Sequence, residues 1–89
     1  MRFEWDPRKA GENLRKHEVS FSEAETVFRD PLAATFDDPD HSIAEQRLLT
    51  VGYSSAGRLL VVSHTEFSAI IRIINARLAT ARERQRHEN

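Results

Sequence analysis

Two arginines near the C-terminus are the side chains whose setting most strongly suggests chemistry. Arg72 precedes two isoleucines, and Arg77 lies in the same run, which has the pattern of a buried strand. A guanidinium among apolar side chains is costly unless it has a partner or a function. Because arginine stays charged and donates hydrogen bonds in a planar fork, Arg72 and Arg77 are candidate functional residues.

A second candidate polar patch lies on the strand predicted just before these arginines. Alternation along that strand places Arg58, His64 and Glu66 on one face. Arg72 joins this face only if the hairpin pairs even-numbered residues with even-numbered ones, and a tight turn at residues 67–68 would prevent it. A structural ion pair between Glu66 and either arginine is the alternative interpretation.

Further cations occur at the ends of two predicted helices. Arg82 and Arg86 are four residues apart and so share one face of the C-terminal helix. Lys16 and His17 end the first helix and could add to the same basic surface. A solvated helix face is the alternative for Arg82 and Arg86.

An acidic loop at residues 37–42 contains His41 among three aspartates. Carboxylates and imidazole are metal ligands, but the spacing of a calcium-binding loop is missing. The loop is therefore interpreted as a solvated turn. We expect no metal and no cofactor.

Helix signals define the elements that must position these side chains. Asp6 followed by Pro7 predicts a helix start, and that helix runs to Lys16 or His17. Ser20 and Glu23 fit a capping box that opens a second helix. The Asp-Pro pair at residues 30–31 ends this second helix.

Strand signals follow the two helices. Alternating or continuous apolar runs predict strands at residues 3–5, 32–36, 47–53, 58–65 and 70–78. Residues 59–62 are uniformly apolar, which predicts burial on both faces of their strand. A second capping box, Thr80 with Glu83, starts a C-terminal helix at Ala81. The predicted fold is α+β, in the order β-α-α-β-β-β-β-α, with an antiparallel sheet and two helices on one of its faces.

Composition limits the functional classes. Eighty-nine residues predict a single domain spanning residues 1–89. The absence of cysteine excludes disulfides and thiolate metal sites. No apolar run is long enough for a membrane span or a signal peptide, so the expected location is cytoplasmic and no membrane partner is expected.

Charge is unevenly distributed along the chain. The formal net charge is -1, with residues 1–45 carrying six Lys/Arg against eleven Asp/Glu, and residues 46–89 seven Arg against three Glu. The second half could therefore face an anion. Direct DNA binding by the C-terminal helix is a weak possibility, because no helix-turn-helix pattern accompanies it.

An ordered set of short motifs resembles one known family. The motifs are FEWD at residues 3–6, KH at 16–17, VSF at 19–21, DP at 30–31, Arg47, Gly52, GRLLVV at 57–62, HTE at 64–66, RIINAR at 72–77 and ER at 83–84. They resemble the BrnT toxins of type II toxin–antitoxin systems over nearly the whole chain. Asn75 stands where that family usually has serine.

The resemblance implies a RelE-like fold and a ribonuclease that cleaves RNA without metal and arrests translation. It implies neutralisation by a BrnA-type antitoxin in a heteromeric complex, expected to be a heterotetramer, that contacts DNA only through the antitoxin. Catalytic roles are then expected for His64, Glu66, Arg72 and Arg77. RNA-binding roles are expected for Lys16, His17, Arg58, Arg82 and Arg86.

A different class of function stays open. In the alternative, the chain is a catalytically weak binding module whose basic face mainly holds the antitoxin and supports promoter autoregulation. Incubation of the protein with RNA and EDTA separates the two, because only an enzyme of the expected kind gives fragments.

Overall fold

The computed structural model describes residues 1–41 and 45–89. Within these two ranges, five strands and three helices follow one another in the predicted order. They are β1 (Arg2–Glu4), α1 (Pro7–His17), α2 (Phe21–Thr26), β2 (Ala34–Asp37), β3 (Leu48–Tyr53), β4 (Leu59–Phe67), β5 (Ile70–Leu78) and α3 (Ala81–Glu88). Two short 3₁₀ turns, Val27–Arg29 and Pro39–His41, complete the set. No helix in the described parts of the chain is long and apolar enough to cross a membrane.

The strands form one sheet in the order β1-β5-β4-β3-β2. β2 to β5 are the predicted antiparallel meander. The expectation of a wholly antiparallel sheet is wrong for β1, which pairs with β5 in parallel. β1 and β5 are separated by most of the chain, and such a long connection does not impose the antiparallel pairing of a hairpin.

The core lies between α2 and one face of the sheet. Phe21, Ala24 and Val27 pack against buried side chains of β4 and β5, which are Leu60, Val62, Ile71, Ile73 and Ala76. Residues 59–62 are at most 3% exposed, which confirms the predicted burial of β4 on both faces. Each of these side chains leaves water almost completely, so this cluster supplies much of the hydrophobic stabilisation.

α1 is fixed against the edge of β5. The side chain of Asp6 accepts a hydrogen bond from the Arg8 amide and caps the helix as predicted. Beyond its pairing with β1, β5 has a free backbone edge, and buried Asn13 bonds to both the N–H and the C=O of Ala76 there. Ala10 packs against the core, and the other flank of α1 remains on the surface.

The β4–β5 hairpin decides which side chains share a face. Its two-residue turn is Ser68 and Ala69, with φ of 50° and 68°, so β4 extends to Phe67. Thr65 is therefore opposite Arg72, and Arg72 lies on the face opposite to that of Glu66. A β-bulge at Ser63/His64 then adds one extra residue to β5.

α3 returns toward the end of β3. Its capping box forms completely, with Thr80 accepting from the Glu83 amide and Glu83 accepting from the Thr80 amide. Glu88 accepts a hydrogen bond from the Tyr53 hydroxyl, and the His87 ring lies 6.1 Å from the Tyr53 ring. The capping box predicted for α2 is only half formed, because Ser20 accepts from the Glu23 amide while the Glu23 carboxylate turns to Arg58.

Candidate active site

A cleft of about 560 Å³ lies between the exposed flank of α1 and the sheet face opposite the core. Its floor contains Leu49, Ser63 and Asn75, which are cross-strand partners on β3, β4 and β5. Their chain neighbours Val62 and Ala76 are buried in the core, so the floor belongs to the opposite face of the sheet.

The charged walls of the cleft come from four separate segments. Four Lys/Arg side chains line it, against two carboxylates and two imidazoles; they are Lys9, Lys16, Arg47 and Arg77, then Glu12 and Asp38, then His17 and His41. An excess of cations in a concave site raises the local concentration of anions. The cleft is therefore suited to a phosphate-bearing ligand.

The β-bulge determines how β5 contributes to the floor. Ile73 and Ala76 both point into the core, so the two residues between them, Ile74 and Asn75, both line the cleft. A regular strand would turn one of the two inward. The extra residue thus gives the cleft an apolar side chain and an amide next to each other.

Arg77 is held in place by the first turn of α3. Its Nη1 and Nη2 donate to the two oxygens of Glu83 at 2.8 and 3.0 Å, and Nη1 also reaches the Leu78 carbonyl at 3.3 Å. The hydrogen bonds from Arg77 lower the pKa of Glu83 to about 2, and the same pair raises the pKa of Arg77. Three of five guanidinium N–H groups are engaged, which leaves Nε–H and one Nη2–H on a common edge.

The acidic loop reaches the rim of the cleft. His41 Nδ1 lies 2.9 Å from Asp38 Oδ2, and the Asp38 side chain is nearly buried. The sequence interpretation of a solvated turn missed this placement; Ser42, also part of that loop, lies outside the described residues. Within residues 1–41 and 45–89, no group of His, Asp and Glu is arranged to hold a metal ion.

His64 does not reach the cleft. It is fully buried, its ring lies 4.9 Å from that of Phe28, and its Nε2 is 2.7 Å from the Thr50 hydroxyl. Burial lowers the pKa of His64 to about 4. Glu66 is on the same face, as predicted, with a carboxylate oxygen 3.8 Å from His64 Nδ1. The register of the hairpin places the two arginines on the other face, so the expected grouping of His64 with Arg72 is not formed.

The remaining sequence candidates lie apart from the cleft lining. Arg58 donates hydrogen bonds to the Glu23 carboxylate and to the Glu18 carbonyl. The hydrogen bond from Arg58 lowers the pKa of Glu23. Arg72 pairs with Glu4 at 3.2 Å on the surface. Arg82 and Arg86 are exposed side chains of α3.

The structure thus brings together three of the nine predicted site residues: Lys16, His17 and Arg77. Sequence reasoning missed Lys9, although its spacing of seven from Lys16 marks one helix face. It also missed Arg47, which shares the face of Leu49 by strand alternation.

Fold and cleft together define a small α+β protein with a cationic cleft on an open sheet face, a class suited to binding a polyanion. A family model described as the ribonuclease toxin BrnT of type II toxin–antitoxin systems matches residues 5–83. The chain therefore belongs to the BrnT family of ribonuclease toxins, and the resemblance noted from the motifs is confirmed.

A solved structure has the same fold. The crystal structure of the Brucella abortus ribonuclease toxin BrnT matches with a TM-score of 0.70 and 23% identity. The match covers 90% of this chain and 97% of that one. The predicted α+β class is thereby confirmed. A search of curated protein sequences gives no match.

Proposed function

We propose that this protein is an RNA endonuclease that acts without a metal ion, and that the cleft beneath α1 is its active site. The observation that carries the proposal is the convergence of lysines from α1 with Arg47 and Arg77 in one solvent-open cleft. RNA offers one phosphate per nucleotide, so a cleft of this charge can hold a backbone segment.

The chemistry is transesterification by the substrate's own 2′-hydroxyl. A base removes the 2′-hydroxyl proton, the O2′–P bond forms, the P–O5′ bond breaks, and an acid protonates O5′. Cations stabilise the charge that develops on the phosphorane oxygens, and the open edge of Arg77 together with Lys16 suits this role. His17, also in the cleft, is a candidate for proton transfer because an imidazole can both accept and donate a proton.

Cleavage of purified RNA in EDTA tests this proposal. The wild-type protein should give fragments ending in 2′,3′-cyclic phosphate and 5′-hydroxyl. Arg77→Ala and Lys16→Ala should each lower the rate by about 100-fold or more, the scale of losing an electrostatic contact to a transition state. Arg82→Ala removes the same charge outside the cleft and is the matched control. Absence of fragments from the wild type, or full activity of both cleft variants, would contradict the proposal.

In the cell, such cleavage would degrade messenger RNA, inhibit translation and arrest growth, and its place would be the cytoplasm. Membership of a type II toxin family supports an antitoxin as the protein partner. We expect a BrnA-type protein that forms a heteromeric complex, covers the cleft and contacts DNA on behalf of both chains. Co-expression of the neighbouring reading frame should restore growth; failure to do so, with the complex undetectable on purification, would count against this partner.

A catalytically weak binding module is the second candidate. The bidentate contact between Arg77 and Glu83 favours it, because this contact uses the end of the guanidinium that would otherwise bind phosphate. Under this alternative the EDTA assay gives no fragments, while the antitoxin still binds and the Arg77→Ala variant weakens that binding.

A further inference from the structure

We propose that Asp38 and His41 form a carboxylate–imidazole dyad in which His41 Nε2 takes the proton from the attacking 2′-hydroxyl. This inference rests on the proposed ribonuclease function and names the base for that reaction. His41 was set aside in the sequence as part of a solvated turn, and His64, one of the two candidate bases with Glu66, is buried in the core.

The geometry of the pair defines the tautomer of the imidazole. An ionised carboxylate can only accept, so the contact of 2.9 Å between Asp38 Oδ2 and His41 Nδ1 places a hydrogen on Nδ1. Nε2 then carries the lone pair that a general base needs. In many hydrolases a carboxylate orients a catalytic imidazole in the same manner.

Burial divides the roles of the two residues. The Asp38 side chain is 12% exposed, whereas that of His41 is 65% exposed. The carboxylate is therefore shielded and fixed, and the imidazole is accessible to a substrate in the cleft that both residues line.

Backbone contacts hold the dyad at the cleft. The Asp38 amide donates to the Arg47 carbonyl at 2.8 Å, which extends the β2–β3 ladder by one step. The 3₁₀ turn Pro39–His41 then returns the chain, with the His41 amide 3.3 Å from the Asp38 carbonyl. The backbone hydrogen bond between Asp38 and Arg47 thus places the dyad next to one of the cations of the cleft.

The cleft offers a second imidazole for the other proton. His17 ends α1 and lines the same cleft, and we assign His41 as the base and His17 as the acid. The 2′-oxygen proton passes to His41 Nε2 as the O2′–P bond forms. The leaving O5′ takes its proton from His17 as the P–O5′ bond breaks, and no other reactant is required.

The test is single-turnover cleavage of a short RNA in EDTA, with RNA binding measured in parallel on a substrate whose 2′-hydroxyls are replaced by hydrogen. His41→Asn should lower the cleavage rate by about 100- to 10,000-fold, the usual contribution of a general base, and change RNA affinity less than about threefold. Asp38→Asn should lower the rate by about 10-fold or more, because it loses the carboxylate that fixes the tautomer. His87→Asn, outside the cleft, is the matched control and should cleave as the wild type does.

Chemical rescue separates loss of the base from loss of folding. Added imidazole should restore at least part of the cleavage by His41→Gly and should leave Arg77→Ala unchanged. Wild-type cleavage by His41→Asn would overturn the dyad while leaving the ribonuclease proposal intact. A wild-type protein without any RNA cleavage would overturn both.

Discussion

Asn13 carries the connection between α1 and the sheet, and its removal gives the most direct test of how the cleft is held. The side chain is 5% exposed. Its Nδ2 donates to the Val19 and Ala76 carbonyls at 2.9 and 2.8 Å, and its Oδ1 accepts from the Ala76 amide at 3.1 Å. Asn13→Ala therefore leaves three backbone groups without these bonds in the interior.

The expected loss of stability follows from those three groups. A buried polar group left unsatisfied costs about 1–3 kcal/mol, but local relaxation and water entry lower the sum when several lie together. We expect about 3 kcal/mol, which for a chain of this size is a fall in Tm of about 12–24 °C. Thermal and urea unfolding measure it. RNA cleavage, assayed where the variant is still folded, should also decrease, because Lys16 and His17 lie on the same helix.

Two variants make this reasoning refutable. Leu14→Ala, at the next position and half exposed, should change Tm by no more than a few degrees. Asn13→Asp keeps the acceptor but places a carboxylate opposite two carbonyl oxygens, so it should be at least as harmful as Asn13→Ala. A Tm for Asn13→Ala within about 3 °C of the wild type would show that the network does not hold α1.

Three further predictions concern packing and pH. Gly52→Ala should lower the free energy of unfolding in urea by about 1–3 kcal/mol, since the new Cβ would lie 2.9 Å from the Ala33 Cβ. An unchanged urea midpoint would show that the backbone shifts to relieve this contact without loss of stability. Glu83→Gln should cost about 1 kcal/mol at neutral pH, because the pair with Arg77 is about one-third exposed. Glu83 keeps its charge in the folded state down to a pKa of about 2, so the difference from wild type should be full above pH 4.5 and vanish as pH falls towards 2. Burial lowers the pKa of His64 to about 4 in the folded state, so between pH 6.5 and 4 the unfolded chain binds a proton there that the folded state does not. Acidification over this window should therefore lower the free energy of unfolding by up to about 3 kcal/mol. Urea unfolding at pH 7.5 and 4.5 should show this loss in the wild type and a smaller one in His64→Gln; equal losses would refute the assignment.

Local signals in the sequence predicted the elements well. Asp6–Pro7 and Thr80 with Glu83 are contiguous motifs whose hydrogen bonds form within one turn, so the chain itself contains the information. The strand predicted from Leu32 begins only at Ala34, because Asp30 accepts from the Leu32 amide and forms a turn there. The turn and the strand compete locally for residues 32–33, and the outcome depends on the rotamer of Asp30.

The site was predicted less well because it depends on how distant segments meet. The position of His64 was predicted on the same strand face as Glu66, and that face proved to be the one covered by α2. Alternation distinguishes two faces of a strand but does not say which one a helix covers. The charge excess of residues 46–89 was an equally incomplete guide, since Lys9 and Lys16 of the acidic half supply half of the Lys/Arg side chains in the cleft.

The β-bulge explains why the two strand arginines share a face at all. Arg72 and Arg77 are five residues apart, and an odd separation in a regular strand points two side chains to opposite faces. Arg72 pairs with Thr65 and Arg77 with Val61, both odd-numbered residues of β4, so the extra residue in β5 has restored a common face. The two guanidinium groups that the sequence singled out therefore lie on the same side of the sheet, with Arg77 in the cleft and Arg72 beyond it. The arginines were predicted from residue type, but their shared face required an insertion that no residue pattern in this strand indicates.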